Sequence, residues 1–218
     1  MECAGTELPA VVFLHGLGDR ASSASFEPVI DRLEPDRRWC RYDRPGAGDS
    51  PAPTRSGRDA EDLGRELDAV VAEADGDGAV VLVGHSFGSY PALDYALAHP
   101  DRVAGLVLLD GVEPAFGLAR ALGADDLDDV AMAEEALDLR AIQEQTEQAV
   151  AAGGEPLGDL PLVVVARGRD GSAAWTAAQR ALGGLSSAGA LRTAADSGHD
   201  IPADAPGAVV DAIGSVVG

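Results

Sequence analysis

Residues 79–88 of the chain read AVVLVGHSFG, and this stretch decides the fold. An apolar, β-branched run, Ala79–Val83, leads directly into the motif GHSFG at positions 84–88, and a helix-favouring segment follows to Ala98. A strand, a tight turn and a helix in this order hold a serine in a strained backbone conformation that exposes its hydroxyl. Only small residues fit two positions before and two positions after that serine. The pattern therefore predicts Ser86 as a nucleophile at the end of a buried strand.

Short apolar runs alternate with helix-favouring segments along the rest of the chain. This alternation is typical of βαβ units on a parallel sheet that is buried on both faces. The strand-like runs are Ala10–Leu14, Arg38–Tyr42, Ala79–Val83, Val103–Leu109, Leu162–Ala166 and Ala190–Ala194. The helix-favouring segments are Ser25–Leu33, Asp59–Ala74, Phe87–Ala98, Ser172–Leu182 and Pro206–Val217. We predict an α/β fold with a mostly parallel sheet of about six strands and helices on both faces.

A long segment between Leu109 and Leu162 lacks a strand signal. Within it, Asp125–Ala152 is acidic, rich in alanine and favourable to helix, and the sequence GGEP at 153–156 marks its end. We predict one domain over residues 1–218, in which residues 112–158 form a small helical insertion over one edge of the sheet, a candidate lid. The alternative is that these helices are ordinary crossover packing.

The composition excludes several classes of partner. The formal net charge is −21, from 16 basic and 37 acidic residues, and none of the basic residues is lysine. Such a field repels nucleic acid and anionic membrane surfaces, so we expect neither as a partner, and a solvated acidic surface is its ordinary explanation. The sequence lacks the apolar run of about 18 residues that a membrane helix needs. Its start lacks the basic and apolar regions of a secretory signal, so we expect a cytoplasmic location.

Neither a metal nor an organic cofactor is expected. The two cysteines, Cys3 and Cys40, lack companion histidines at the spacing of a zinc site, and we expect both to be free thiols. The sequence GLG at 16–18 lacks the third glycine of a phosphate-binding fingerprint, which argues against a nucleotide cofactor.

A second motif is VVFLHGLG at positions 11–18, a strand-like run that enters a glycine-bearing loop. Acyl-bond hydrolysis develops a negative oxygen, and backbone N–H groups aimed at that oxygen stabilise it. We expect the amides of Leu17 and Phe87 to form this oxyanion hole. Gly16 lets the loop approach the site closely. His15 is expected to stabilise the loop by hydrogen bonding rather than to act in catalysis.

The third motif, SGHDIP at positions 197–202, lies between the last strand-like run and the last helix. A serine nucleophile needs a base within hydrogen-bond reach, and histidine titrates in the useful range. His199 lies on a loop at the end of a strand, where α/β proteins place their sites. His85 flanks the nucleophile and should point away from it, and His99 lies at a helix end. His199 is therefore the predicted base, with a structural histidine as the alternative.

Two aspartates are candidates for the acid that orients His199. Asp110 ends the run Val103–Leu109, and Asp170 follows the next strand within RGRDG at 167–171. A buried carboxylate in this role also stabilises the protonated imidazole. We favour Asp110, because the flanks of Asp170 are typical of a solvated loop, and we keep Asp170 as the alternative acid.

With these motifs in order, the chain resembles the α/β-hydrolase superfamily along nearly its whole length. The matching elements are LHG at 14–16, YDRPGAGDS at 42–50, GHSFG at 84–88, residues 102–110, residues 161–168 and SGH at 197–199. Members usually carry an antiparallel hairpin before the His-Gly strand, so this chain looks like a shortened version. The family's usual acid loop has two residues between its glycine and aspartate, but Gly168 and Asp170 have only one between them. Some members carry the acid one strand earlier, where Asp110 stands.

The resemblance implies a serine esterase or lipase-like enzyme. It implies that a small-molecule ester or related acyl compound is cleaved through an acyl-serine intermediate, with Ser86, His199 and Asp110 as the catalytic residues. The same scaffold also serves cofactor-free lyases, C–C bond hydrolases, perhydrolases and non-catalytic ligand-binding proteins, which remain alternatives. Haloalkane dehalogenases and epoxide hydrolases need a carboxylate at position 86 and are excluded. Neither the substrate nor the oligomeric state follows from the sequence.

Overall fold

The computed structural model describes residues 1–18, 22–127, 134–151 and 154–217. Within these ranges, seven strands form one sheet in the order β1-β3-β2-β4-β5-β6-β7. The strands are β1 Glu2–Ala4, β2 Glu7–Leu14, β3 Arg37–Arg41, β4 Val80–His85, β5 Val103–Leu109, β6 Leu162–Arg167 and β7 Gly189–Ala194. β1 pairs antiparallel with β3, and the other neighbouring pairs are parallel. The predicted α/β architecture with a mostly parallel sheet is confirmed.

The six strand-like runs correspond to β2–β7, and the structure corrects the predicted strand number by adding β1. β1 has only three residues, and its outer two are exposed. Such a short edge strand produces no apolar run, so periodicity does not reveal it. Strand pairing with β3, rather than burial of a face, gives β1 its conformation.

The prediction that both cysteines are free thiols is wrong. Cys3 lies opposite Cys40 in the antiparallel pairing of β1 with β3, and the two form a disulfide. Their Cα atoms are 4.2 Å apart, and 37 positions separate them in the chain. Directly opposed residues on antiparallel strands come this close together. The sequence did not reveal the pair because β1 itself was not predicted.

Helices cover both faces of the sheet. The α-helices of the described chain are α1 Glu27–Ile30, α2 Ala60–Asp75, α3 Ser89–Ala98, α4 Leu118–Leu122, α5 Leu139–Val150, α6 Ala173–Gly183, α7 Ile201–Asp204 and α8 Pro206–Val216. Side chains alternate across β4: Val80 and Leu82 pack into the core beneath α2 and α3, while Val81 and Val83 pack into the core beneath α8. This alternation fixes which face each strand presents to each helical layer. Within the described ranges, no helix is long and apolar enough to span a bilayer.

The segment between β5 and β6 is helical, but its long helix begins later than the sequence indicates. α5 begins at Leu139, where Asp138 accepts a hydrogen bond from the amide of Ala141 and caps the helix. Just before it, the backbone of Arg58 forms hydrogen bonds with Ala136 and Asp138, and residues 134–136 form a turn rather than a helix. Residues 128–133 and 152–153 of the predicted helix lie outside the described residues. Among the described residues of the predicted insertion, 112–158, α4 and α5 are α-helical, and the stretch before α5 is tied to Arg58.

Candidate active site

Ser86 lies directly after β4, in a tight turn that requires glycine at positions 84 and 88. Its φ is +53°, a left-handed conformation that is costly for a residue with a side chain. A Cβ on Gly84 would lie 2.5 Å from the carbonyl oxygen of Gly88, and a Cβ on Gly88 would lie 2.2 Å from that of Leu14. A 3-10 turn, Ser86–Gly88, then continues into α3. The turn lifts the Ser86 hydroxyl out of the sheet edge, and Ser86 stays half-buried.

His199 lies on the loop between β7 and α7, and its ring meets Ser86. The distance from His199 Nε2 to Ser86 Oγ is 3.0 Å. The other ring nitrogen, Nδ1, lies 2.6 Å from Oδ2 of Asp110. The side chain of His199 is 45% exposed, so its Nε2 edge is open to solvent and to a substrate. The geometry allows His199 to take a proton from Ser86 while a carboxylate holds its far side.

Asp110 ends β5 and is fully buried. Its Oδ1 accepts hydrogen bonds from the indole Nε1 of Trp175 at 2.7 Å and from the amide of Arg167 at 3.2 Å. Arg167 Nε lies 2.9 Å from Oδ2, an ion-pair distance, but its N–H is misdirected for a hydrogen bond. A buried carboxylate needs such partners to remain charged. These donors fix the orientation of the Asp110 carboxylate beside His199.

Asp170, the alternative acid, lies in a different environment. It is exposed on the loop after β6, with a φ of +59°. Of the two carboxylates that the sequence left open, Asp110 is the one that lies against His199 Nδ1.

The predicted oxyanion-hole residues lie on both sides of Ser86. Phe87 follows Ser86 within the 3-10 turn. Leu17 lies on the loop after β2 and lines the cavity beside Ser86. A Cβ on Gly16 would lie 3.2 Å from the Cβ of Ser86, so this loop passes against the serine. The amides of Leu17 and Phe87 therefore remain the candidates for this role.

A family model for the alpha/beta hydrolase fold matches residues 9–142, more than half of the chain. The chain belongs to the α/β-hydrolase family. The family and the fold that the motifs predicted are thereby confirmed.

Curated relatives of this α/β hydrolase match over part of its length. The 2-hydroxy-6-oxononadienedioate/2-hydroxy-6-oxononatrienedioate hydrolase of Burkholderia vietnamiensis is 37% identical over 109 residues, which cover 49% of this chain and 38% of the relative. Lipase LipV of Mycobacterium tuberculosis is 54% identical over 50 residues, which cover 23% of this chain and 18% of the relative. The match thus spans less than two fifths of either relative.

A solved structure extends the similarity to nearly the whole fold. Cfl2 from Burkholderia cenocepacia superposes with a TM-score of 0.76 over 99% of this chain and 90% of its own, at 19% identity. At this identity the likeness concerns the fold.

Two buried histidines of the α/β hydrolase stay neutral around the site. Burial, followed by the charge of Arg44, lowers the pKa of His15 to about 3. His15 Nε2 accepts a hydrogen bond from the Arg44 amide, which leaves Nδ1 to donate to the carbonyl of Gly16. This is the loop-stabilising role expected for His15. Burial, followed by the proximity of His199, lowers the pKa of His85 to about 4.

His85 does not turn away from the site as expected. Its ring lines the cavity beside Ser86, and its Nε2 donates a hydrogen bond to the backbone carbonyl of His199 at 2.9 Å. Because β4 ends at His85 and the chain turns at Ser86, both side chains lie at the C-terminal end of β4, where the cavity opens. His85 thereby ties the strand end to the loop that carries His199.

Arg44 and Glu135 connect the loop after β2, residues 15–18, to the predicted insertion, and the sequence did not single them out. Arg44 donates to the carbonyl oxygens of His15 and Gly16 at 2.6 and 2.7 Å. Its Nε lies 2.7 Å from Glu135 Oε2, and both side chains are buried. The DRPG sequence at 43–46 signals a structural loop, but only the fold reveals that Arg44 reaches Glu135.

The cavity beside Ser86 has a volume of about 500 Å³. Its lining consists of His15, Gly16, Leu17, Gly18, Ser22, Ser25, His85, Ser86, His199 and Asp200. A larger groove of about 970 Å³ lies between α2, α3 and α5 and is lined by other residues. Among the described residues, no cluster of three or more His, Cys, Asp or Glu side chains is arranged to hold a metal.

Proposed function

We propose that the chain is a serine hydrolase that cleaves a carboxylic ester or a related acyl bond of a small molecule through an acyl-serine intermediate. The observation that carries this proposal is the continuous contact from Ser86 Oγ to His199 Nε2 at 3.0 Å and from His199 Nδ1 to Asp110 at 2.6 Å. A hydroxyl, a base and a buried carboxylate in this order form the constellation that activates a serine nucleophile.

The first half-reaction forms the acyl-enzyme. Ser86 Oγ attacks the carbonyl carbon while His199 Nε2 takes the hydroxyl proton. The carbonyl oxygen becomes negative in the tetrahedral intermediate, where the amides of Leu17 and Phe87 stabilise it. His199 then returns its proton to the alcohol oxygen as the ester C–O bond breaks, and the acyl group stays on Ser86. Asp110 stabilises the imidazolium that exists between these steps.

The second half-reaction regenerates Ser86. Water enters beside the exposed edge of His199, gives its proton to Nε2 and attacks the acyl carbon. When the second tetrahedral intermediate collapses, His199 returns the proton to Ser86 Oγ and the carboxylic acid leaves. His199 returns each proton that it takes. The net reaction adds one water across the ester bond without a change of oxidation state.

The electrostatics of the site favour an uncharged substrate. The two buried histidines in the cavity lining are neutral, and Asp200 adds a negative charge. The net charge of −21 further repels an anionic substrate at low ionic strength. We therefore expect faster cleavage of a neutral ester such as p-nitrophenyl butyrate than of mono-p-nitrophenyl succinate, with the difference shrinking as salt is added.

A second candidate activity is C–C bond hydrolysis. The relative from Burkholderia vietnamiensis is named for cleavage of a nonadienedioate or nonatrienedioate. That name denotes a dicarboxylate, and the carboxylate of Asp200 in the cavity lining disfavours such a dianion. Comparing an oxo-dienedioate with p-nitrophenyl butyrate on one sample separates the two activities.

The insertion, residues 112–158 within a single domain 1–218, is proposed as a lid. Its residues Leu118, Leu139 and Ile142 pack in one cluster with Phe87, the residue after the nucleophile, and with Tyr90 of α3. A movement of the insertion would therefore change the packing around Phe87, next to Ser86.

A cytoplasmic location remains a prediction, and the Cys3–Cys40 disulfide bears on it. Disulfides persist mainly in oxidising compartments. Counting free thiols in protein trapped with a maleimide directly in cells tests the location: two thiols support the cytoplasm, and none contradicts it.

Turnover of short p-nitrophenyl esters tests the proposed function. Ser86→Ala is expected to abolish turnover, while the matched variant Ser187→Ala, at an exposed serine far along the chain, keeps it. Wild-type protein that is folded and cleaves no ester, thioester or β-diketone substrate would overturn the proposal.

A further inference from the structure

The carboxylate of Asp110 uses its two oxygens for different partners. Oδ2 faces Nδ1 of His199, while Oδ1 accepts from Trp175 Nε1 at 2.7 Å and from the Arg167 amide at 3.2 Å. In the described part of the chain, the indole is the only side chain that donates a hydrogen bond to Oδ1, and its bond is the shorter. The titratable and charged groups around this carboxylate are Arg167, His199 and His85.

The indole itself is held from several sides. Trp175 lies in the first turn of α6, where Ser172 Oγ accepts a hydrogen bond from the Trp175 amide at 3.1 Å. The guanidinium carbon of Arg167 lies 4.5 Å from the ring centroid, and the Phe116 ring meets the indole edge-on at 5.1 Å. Trp175 is only 5% exposed. Its N–H is therefore aimed in a fixed direction, toward Oδ1.

An indole N–H suits this position chemically. It donates one hydrogen bond and neither accepts a proton nor loses one in the working pH range of an enzyme. It stabilises the carboxylate without competing with His199 for a proton. A backbone amide such as that of Arg167 contributes a second bond, but at a longer distance.

We propose that Trp175 is a positioning residue whose indole N–H holds Asp110 with Oδ2 directed at His199. The inference rests on the proposed function, because it assigns Trp175 a role through the predicted acid. A buried carboxylate that loses a strong donor is free to rotate. Rotation weakens its hold on the imidazole that must accept the proton of Ser86.

Trp175→Phe removes the donor and retains an aromatic ring against Phe116 and Arg167. We expect kcat on p-nitrophenyl butyrate to fall about 10-fold to 100-fold, the range that corresponds to one charge-assisted hydrogen bond, with KM nearly unchanged. The matched control Trp39→Phe, on β3, should leave kcat and KM unchanged. An unaltered kcat in Trp175→Phe would overturn the proposal.

A double-mutant cycle separates positioning from general damage. If Trp175 acts through Asp110, then Trp175→Phe should lower kcat by less than about 2-fold in an Asp110→Asn background, because coupled residues are not additive. An equal fall in both backgrounds would contradict the proposed role.

If Trp175→Phe does not fold, tryptophan fluorescence tests the contact between Trp175 and Asp110 instead. The chain has two tryptophans, so Trp175 is the only tryptophan left in Trp39→Phe. We expect its emission to differ between Trp39→Phe and Trp39→Phe/Asp110→Asn, because the carboxylate that accepts its N–H is replaced by an amide. Emission that is indifferent to the Asp110 substitution would refute the contact. This readout needs no turnover, so it is independent of a failure of the proposed hydrolase activity.

Discussion

His199 Nδ1 lies 2.6 Å from Asp110 Oδ2, although 89 positions separate the two residues in the chain. The contact forms because β5 and β7 are parallel strands of one sheet, separated by β6, and their carboxyl ends reach the same rim. Asp110 follows β5 directly and is fully buried. The ends of the last strand of the sheet and of a strand near its centre thus bring these two side chains into contact.

The first prediction concerns this carboxylate. Asp110→Asn should lower kcat/KM for p-nitrophenyl butyrate by about 10³-fold to 10⁴-fold, because an amide favours the wrong imidazole tautomer and cannot stabilise the imidazolium. The matched variant Asp170→Asn changes the same residue type at an exposed loop position and should stay within about 2-fold. The reverse order of the two effects would assign the acid to Asp170.

The second prediction concerns Gly88, two positions after Ser86. Gly88→Ala would place a Cβ 2.2 Å from the Leu14 carbonyl, so the strand or the helix must shift. We expect a loss of about 2–4 kcal/mol in the free energy of unfolding, measured by denaturant titration. Gly214→Ala, at an open position inside α8, is the matched control and should be neutral or stabilising by up to about 1 kcal/mol. Equal stabilities for the two variants would argue against the tight turn.

The third prediction concerns the buried ion pair of Arg44 and Glu135. Glu135→Gln leaves the guanidinium with an uncompensated buried charge, which should cost about 3–5 kcal/mol of stability. Because Arg44 also donates hydrogen bonds to the carbonyl oxygens of His15 and Gly16, in the loop beside Ser86, kcat should fall as well. Glu61→Gln, which breaks an exposed pair with Arg65, should change stability by less than about 1 kcal/mol. A Glu135 variant as stable and active as the Glu61 variant would rule out this coupling.

The fourth prediction concerns Asp94, which lies in the groove between α2, α3 and α5. Burial raises its pKa from 3.8 to about 7, partly offset by a hydrogen bond from the Thr146 hydroxyl. The folded state therefore favours the protonated form, and ionised Asp94 destabilises the protein above pH 7. This cost disappears as the pH falls from about 7 toward the unfolded value of 3.8.

Asp94→Asn removes the charge and keeps an acceptor for Thr146. Because Asp94 is only partly shielded from solvent, we expect the variant to be more stable than wild type by about 1–3 kcal/mol at pH 8. The difference should shrink between pH 7 and pH 4, as measured by denaturant titration at each pH. Asp36→Asn, at an exposed turn, should show no such pH dependence. A constant difference for Asp94→Asn would contradict the raised pKa.

The sequence predicted those features that have a local cause. The runs that became β2–β7 are apolar because both faces of the sheet are buried, and the glycines at 84 and 88 mark a turn that excludes side chains. Ser86 and His199 follow from their motifs, since each lies where a strand meets a loop at one rim. The family followed from the order of these motifs.

Features that depend on distant parts of the chain were not predictable. β1 and its disulfide depend on pairing across 37 positions, and no pattern within three residues encodes that. Trp175 and Glu135 reach the site from α6 and the insertion, and as single side chains they carry no motif. Asp110 and Asp170 both follow strand-like runs, and the solvated flanks of Asp170 favoured Asp110, but the fold was needed to show that Asp110 is buried against His199 and that Asp170 is exposed.

The most direct test of the account is the identity of the residue that reacts with a fluorophosphonate. This reagent phosphonylates a serine only when a base and an oxyanion hole activate it, so it needs no knowledge of the substrate. We expect one equivalent of label on wild-type protein, located at Ser86 by peptide mass spectrometry. Labelling should be absent in Ser86→Ala and strongly slowed in Asp110→Asn. Folded wild-type protein that stays unlabelled, or that carries the label on another residue, would contradict it.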